Sequence, residues 1–266
     1  MWNIALINLS FALGAFGIFI NRGGPVPSVH SFGASSLGWV FLIFLGVVVV
    51  VSFGLFTYRS ALLRSTGSLE STLSRESAFL VNNLLLLAVA FITLWGVVFP
   101  LISELVLGRT ITVGEPFYNK VNGPIILGLL FLLAVGTLLP WRHATWKSVR
   151  HALLVPGSIT LAKTFIIAIL GVRNIAAVVG IGVSTLVAIS IMREWIRGTY
   201  ARHQSSGAPY LKCFGQLISS NRPRYGGYVV HLAIVMLAFG IIGSTFYNLE
   251  RDGILHIGQQ AVIGDY

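Results

Sequence analysis

The run of residues 38–57, GWVFLIFLGVVVVVSFGLFT, decides the fold class, because it holds 20 residues and no charge. A helix needs about 20 predominantly apolar residues to cross the hydrocarbon of a bilayer. Six further apolar runs lie at residues 2–20, 79–99, 124–140, 153–171, 174–192 and 228–247. Only helices and closed barrels satisfy their backbone in lipid, and no alternating strand pattern of a barrel is evident. We therefore predict an all-α, polytopic membrane bundle of about seven transmembrane helices.

The composition supports a membrane protein and argues against other classes. Of the 266 residues, 55% are hydrophobic and only 10% are charged. The net charge of +10 suggests nucleic acid in a soluble protein, but in a membrane protein it reflects basic loops on one side. The single cysteine, Cys213, excludes an internal disulfide framework and a multi-cysteine metal site. We expect membrane lipid and no nucleic acid among the partners.

The distribution of lysine and arginine predicts the orientation in the membrane. Of the 18 basic residues, 12 lie in the predicted loops 58–78, 141–152 and 193–227. Loops with such an excess stay in the cytoplasm or matrix. The N-terminus is then inside and the C-terminus outside, with His30 outside and His231 in the membrane near its inner face.

Two regions follow from these spans. Residues 1–247 form the predicted transmembrane domain. Residues 248–266 read as the start of a truncated extracytoplasmic domain, because QQAVIGDY at 259–266 resembles a first strand rather than a tail. We therefore expect a fragment or one product of a split gene.

His231 is the first candidate for chemistry, because it lies three residues into the last predicted span. An ionisable side chain at that depth is costly unless it has a partner. A neutral imidazole in an apolar site is a good axial ligand for haem iron. The alternative is a hydrogen bond to a carbonyl of a neighbouring helix.

His30 is the second candidate, within the hydrophilic stretch RGGPVPSVHSF of residues 22–32. Pro25 and Pro27 prevent a regular helix and hold the backbone extended or turning at the predicted outer surface. The alternative is an ordinary, solvated loop histidine.

Lys163 lies inside the fifth predicted span, where a charge is expensive. Its ammonium group either meets a carboxylate such as a haem propionate or extends toward an interface. Hydrolase motifs are absent from the sequence. The eight acidic residues all lie outside the predicted spans, which disfavours a cation-driven transporter.

Four motifs occur in the order and spacing of the CcmF family, at residues 22–32, 76–83, 113–119 and 226–232. CcmF is the large haem-lyase subunit of the system I (Ccm) machinery for cytochrome c maturation. The sequence resembles this family over essentially its whole length, but matches only a middle portion of the family's full length.

The resemblance implies a role for each histidine. His30 matches an outer-face histidine that helps to ligate haem delivered by the chaperone CcmE. His231 matches a transmembrane histidine that is one axial ligand of a resident haem b, the reductant of the incoming haem. Haem is then attached through thioether bonds to the CXXCH motif of apocytochrome c, with CcmH as the thioreductive partner. The cytochrome supplies the nucleophilic thiols, so no catalytic side chain is expected here.

The sequence departs from the family in one respect that bears on both sites. The family's Trp-rich haem-handling segment and its earlier outer and transmembrane histidines belong before residue 1. The chain thus supplies half of each histidine pair, and we expect the lyase to be incomplete on its own.

The expected location is the bacterial inner membrane with the haem-handling face in the periplasm, or the mitochondrial inner membrane if the protein is organellar. Two other functions remain open: a multi-span permease that exports haem or a small molecule, and a structural assembly subunit that does not contact haem.

Overall fold

The computed structural model describes residues 1–23, 36–63, 71–140 and 144–250, together with residues 253, 254, 256, 258 and 260. Within these residues the chain forms eight α-helices and no strand. The helices are α1 (Trp2–Gly23), α2 (Leu37–Tyr58), α3 (Arg75–Leu107), α4 (Glu115–Leu138), α5 (Trp146–Ile169), α6 (Ile175–Ser206), α7 (Tyr210–Ser220) and α8 (Arg222–Phe246).

The predicted all-α membrane fold is confirmed. Seven of the eight helices are long and apolar enough to cross a membrane, and the exception is the 11-residue α7. The inside and outside assignment of the termini and the division at residue 247 stay predictions.

The structure corrects one predicted loop. Most of residues 193–227 is helical, because α6 continues to Ser206 and α7 follows from Tyr210. Hydropathy marks only the part of a helix that matches lipid, whereas a helix ends where its backbone is capped. Gly207 provides that end for α6: it adopts a φ of +66°, and its N–H donates to the His203 carbonyl at 2.8 Å.

The chain divides into two compact units, and the first comprises residues 1–69 and 88–123. In this unit α1 packs against α2, and the Asn8 side-chain amide donates to the Ser52 carbonyl at 3.4 Å. Gly38 allows the two helices to approach, because a Cβ there would lie 2.4 Å from the Cα of Gly23. The close approach of small residues is the usual means of packing helices in lipid.

The second unit comprises residues 70–87 and 124–266, and α6 is its central helix. Of the most apolar 18 residues of α6, 44% are buried, against at most 17% in the other six candidate spans. α6 packs against α5, α7 and α8. The hydrophobic core of this unit combines residues of α4, α6, α7 and α8: Ala134, Leu186, Val187, Ile191, Leu217, Tyr225, Tyr228 and Val235.

Asparagine side chains fix where α6 and α8 begin. The Asn174 side chain accepts from the backbone N–H groups of Ala176 and Ala177 at 3.0 and 3.2 Å. The Asn221 side chain accepts from the N–H of Arg224 at 3.3 Å. These N-caps set the register of both helices, and hence the faces that they present to each other.

Arg75 joins the start of α3 to the end of α4 within the second unit. Its guanidinium donates to the carbonyls of Gly136 and Thr137, both at 3.0 Å. Its backbone N–H donates to the Pro140 carbonyl at 3.1 Å. The last carbonyls of α4, which have no partner inside that helix, are thereby satisfied by a cation.

We expect Arg75→Ala to lower the free energy of unfolding by about 2 kcal/mol, because it removes two charge-assisted hydrogen bonds to these carbonyls. Denaturation of the protein in detergent measures the loss. Arg150→Ala is the matched control, since Arg150 is exposed on α5 and its removal leaves stability unchanged. Equal stability of the two variants would contradict the proposed role of Arg75.

Candidate functional site

His231 lies on a face of α8 that is held against the core of the second unit. Arg224, Tyr228, His231 and Val235 are spaced at i, i+4, i+7 and i+11, so they form one stripe along the helix. Tyr228 and Val235 are only 5% and 3% exposed, and His231 is half-buried between them. The stripe therefore places the imidazole beside the packed side of the helix.

The His231 imidazole has a buried nitrogen that makes no hydrogen bond. Its Nδ1 atom is inaccessible and without a partner. A buried polar atom left in this way costs about 1–3 kcal/mol. The carbonyl partner that the sequence offered as the alternative role is not formed at this atom. An imidazole without hydrogen-bond partners among apolar and aromatic side chains fits an axial ligand of haem iron.

The described residues hold no protein-only metal centre. No group of three or more His, Cys, Asp or Glu side chains comes together among them. A single histidine is nevertheless sufficient for one axial position of haem, since the porphyrin supplies the other four ligands. The donor set thus fits haem better than an isolated metal ion.

Arg224 connects the start of α8 to α6. Its Nη2 atom lies 2.8 Å from Oε2 of Glu194, and its Nε donates to the hydroxyl of Tyr228 at 3.2 Å. The Glu194 side chain is 14% exposed and that of Arg224 is 39% exposed. A second contact lies further along the two helices, where a Cβ on Gly180 would approach Cδ1 of Ile242 to 2.8 Å. α8 is therefore fixed to α6 at two levels.

Lys163 also lies in the second unit, on α5. Its Nζ donates to Oγ1 of Thr185 on α6 at 3.3 Å and lies 5.8 Å from the centroid of the Phe239 ring on α8. No carboxylate pairs with this ammonium group among the described residues. Buried hydroxyls without partners occur on the same two helices, at Thr160, Thr164 and Ser184.

Lys163 lies in the last two turns of α5. Since α5 ends at Ile169, Lys163 is six residues, or about 9 Å, from the end of the helix. The long side chain can extend along the helix from there.

The other predicted site residue, His30, lies outside the described residues. Sequence reasoning did not identify Arg224, Glu194, Tyr228, Thr185 or Phe239 as neighbours of the site. The spacing of Arg224 and Tyr228 ahead of His231 was a usable signal, because it places the three on one helix face. The residues on α5 and α6 gave no such signal, since their proximity depends on which helices pack together.

Curated relatives match the chain along its length, whereas no family model matches it. CcmF of Haemophilus influenzae is 29% identical over 266 residues, which cover 100% of this chain and 40% of the relative. CcmF of Pseudomonas fluorescens is 30% identical over 268 residues, covering 100% and 39%. The ccl1 protein of Rhodobacter capsulatus is 36% identical over 162 residues, covering 60% and 25%. All three are described as cytochrome c-type biogenesis proteins.

A solved structure has the same fold. The cytochrome c haem lyase CcmF superimposes with a TM-score of 0.66 at 26% sequence identity, over 92% of this chain and 34% of that one. The chain is thus a multi-pass, all-helical membrane protein that is similar along its whole length to proteins of cytochrome c-type biogenesis. Among these, its relatives and its structural neighbour are of the CcmF type, which confirms the resemblance that the four motifs predicted. It spans about two fifths of the length of the curated relatives that it matches.

Proposed function

We propose that this chain is a component of a haem lyase that attaches haem covalently to apocytochrome c, and that His231 is an axial ligand of a resident haem b. The observation that carries the proposal is a half-buried imidazole in the last long apolar helix that makes no hydrogen bond to the described residues at either ring nitrogen. It occurs in a chain whose structural neighbour is named a cytochrome c haem lyase.

The residues around His231 suit a neutral imidazole rather than a charged one. Tyr228 and Val235, on the same face of α8, are buried, and the carboxylate of Glu194 is already engaged by Arg224. Only the neutral form can offer a lone pair to iron. A haem b bound there would supply one-electron reduction of the incoming haem iron.

The outer part of the proposal rests on the motif that contains His30. We place His30 at the periplasmic face of the bacterial inner membrane, or the equivalent face in a mitochondrion, where it helps to ligate haem received from CcmE. CcmH and apocytochrome c would meet the complex on the same side, because the CXXCH thiols must reach the haem vinyl groups. The thiols are the nucleophiles, which agrees with the absence of a nucleophile–base pair in the sequence.

We assign Lys163 to a haem propionate. Its ammonium group has three donors, and the described contacts use one of them, to Thr185. Phe239 lies on α8 two turns beyond His231, so the Lys163 ammonium group approaches the helix that carries His231. An exposed, snorkelling lysine is the competing interpretation.

We expect His231→Ala to abolish the low-spin haem spectrum of the protein, because the iron loses an axial ligand. The protein is purified from membranes together with the subunits that accompany it, and optical and EPR spectra are recorded. His151→Ala, at an exposed position on α5, is the control and keeps the spectrum. A low-spin haem that survives in His231→Ala would refute the ligand assignment. Complete absence of haem from the unaltered complex would favour a permease or a structural subunit.

We expect Lys163→Met to lower the midpoint potential of the same haem, because a nearby cation favours the reduced, more negative state. Redox titration measures this potential. The matched control is Lys147→Met, which removes an exposed lysine from the first turn of α5. If both variants titrate like the unaltered protein, Lys163 is a snorkelling residue.

We expect His30→Ala to reduce the amount of haem-loaded CcmE that co-purifies with the complex by at least several-fold, because the delivered haem loses a ligand. Haem staining of the captured chaperone gives the measure, and His151→Ala is again the control. Undiminished capture by His30→Ala would rule out the outer role.

A further inference from the structure

Metal-bound histidines usually have their orientation fixed by a hydrogen bond at the ring nitrogen that does not bind the metal, and neither ring nitrogen of His231 makes a hydrogen bond to the described residues. If His231 ligates iron, another contact must set the rotation of its ring. The nearest aromatic neighbour is Tyr228, whose ring centroid lies 6.5 Å from that of His231 at an interplanar angle of 43°. Within α8, this ring contact can restrict the rotation of the imidazole.

Tyr228 is itself held from several directions. Its hydroxyl accepts from Nε of Arg224 at 3.2 Å. Its ring meets the edge of Trp195 on α6 at 6.5 Å and that of Tyr225 at 5.8 Å. Trp195 in turn packs edge-on against Phe214 of α7 at 5.8 Å. Aromatic pairs at these distances each contribute about 0.5–1.5 kcal/mol beyond their burial.

The hydroxyl contact depends on an ion pair between helices. Arg224 is held at 2.8 Å by Glu194, which is the residue before Trp195 on α6. The carboxylate therefore fixes the guanidinium, the guanidinium fixes the phenol, and the phenol lies against the imidazole. Arg224, Tyr228 and His231 occupy successive turns of one stripe, so a rotation of α8 moves all three together.

We infer that Glu194, Arg224 and Tyr228 are positioning residues that set the orientation of the His231 imidazole as an iron ligand. The inference rests on the proposed role of His231, and it assigns these three residues a task that packing alone does not require. A purely structural ion pair changes the stability of the protein when it is removed. A positioning chain also changes the ligand field and the potential of the haem.

The test compares Tyr228→Phe, Tyr228→Leu and Arg224→Gln in the purified complex, by EPR spectroscopy and redox titration. Tyr228→Phe retains the ring and loses the bond from Arg224, so we expect a small shift of the largest g value and of the midpoint potential. Tyr228→Leu removes the ring that orients the imidazole, so both shifts are larger and the low-spin signal broadens. Arg224→Gln reproduces the effect of Tyr228→Phe. Haem content stays that of the unaltered protein in all three, because His231 is intact.

Two control variants distinguish the loss of a positioning contact from the loss of a charge or of a hydroxyl group elsewhere. Arg222→Gln removes an exposed cation from the same turn as Arg224, and Tyr200→Phe removes the hydroxyl of an exposed tyrosine on α6. We expect neither to move the g value or the potential. If Tyr228→Leu does not fold, Tyr228→Phe and Arg224→Gln decide the question.

The outcomes distinguish this inference from the function on which it rests. Haem that survives in His231→Ala overturns the ligand assignment, and this inference with it. Loss of haem in His231→Ala, combined with unaltered spectra and potentials in the Tyr228 and Arg224 variants, overturns the positioning role alone. Shifts in those variants that the controls do not share support it.

Discussion

Backbone hydrogen bonding in lipid is the constraint on which the rest of this structure depends. Hydrocarbon offers no partner for an exposed peptide group, and each unpaired group costs several kcal/mol, so every apolar run has to be helical. Once the backbone is satisfied within each helix, helices associate through packing rather than through the hydrophobic effect. α6 carries much of this packing in the second unit, with Gly180 against Ile242 at its contact with α8.

Polar groups among these helices are satisfied to different degrees, and the difference is informative. Glu194 and Arg224 neutralise each other. Lys163 has a hydroxyl and an aromatic ring for partners but no carboxylate. The Nδ1 atom of His231 has no partner. The degree of satisfaction thus decreases from the ion pair through Lys163 to His231, which has most to gain from a ligand.

The sequence predicted more of the fold than of the site. Hydropathy found all seven long helices, but it placed a loop over residues 193–227, where α6 continues and α7 forms. α7 is short and amphipathic, so its burial of Cys213 and Leu217 leaves no long apolar run to detect. His231 was identifiable because an ionisable residue in an apolar run is rare. In the sequence, Glu194 lies in a predicted loop that is rich in basic residues, and nothing near it in the chain links it to α8.

The sequence by itself determined the membrane class, the number of long helices, the CcmF-type motifs and the candidate histidine in the last span. These depend on residues that are near one another in the chain, or on the match of an apolar run to lipid thickness. Only the tertiary structure decided that Glu194 meets Arg224, that Tyr228 packs against Trp195, and that Lys163 reaches Thr185. Such contacts join different helices or depend on how a side chain packs, and the physics of a single helix does not select its neighbours.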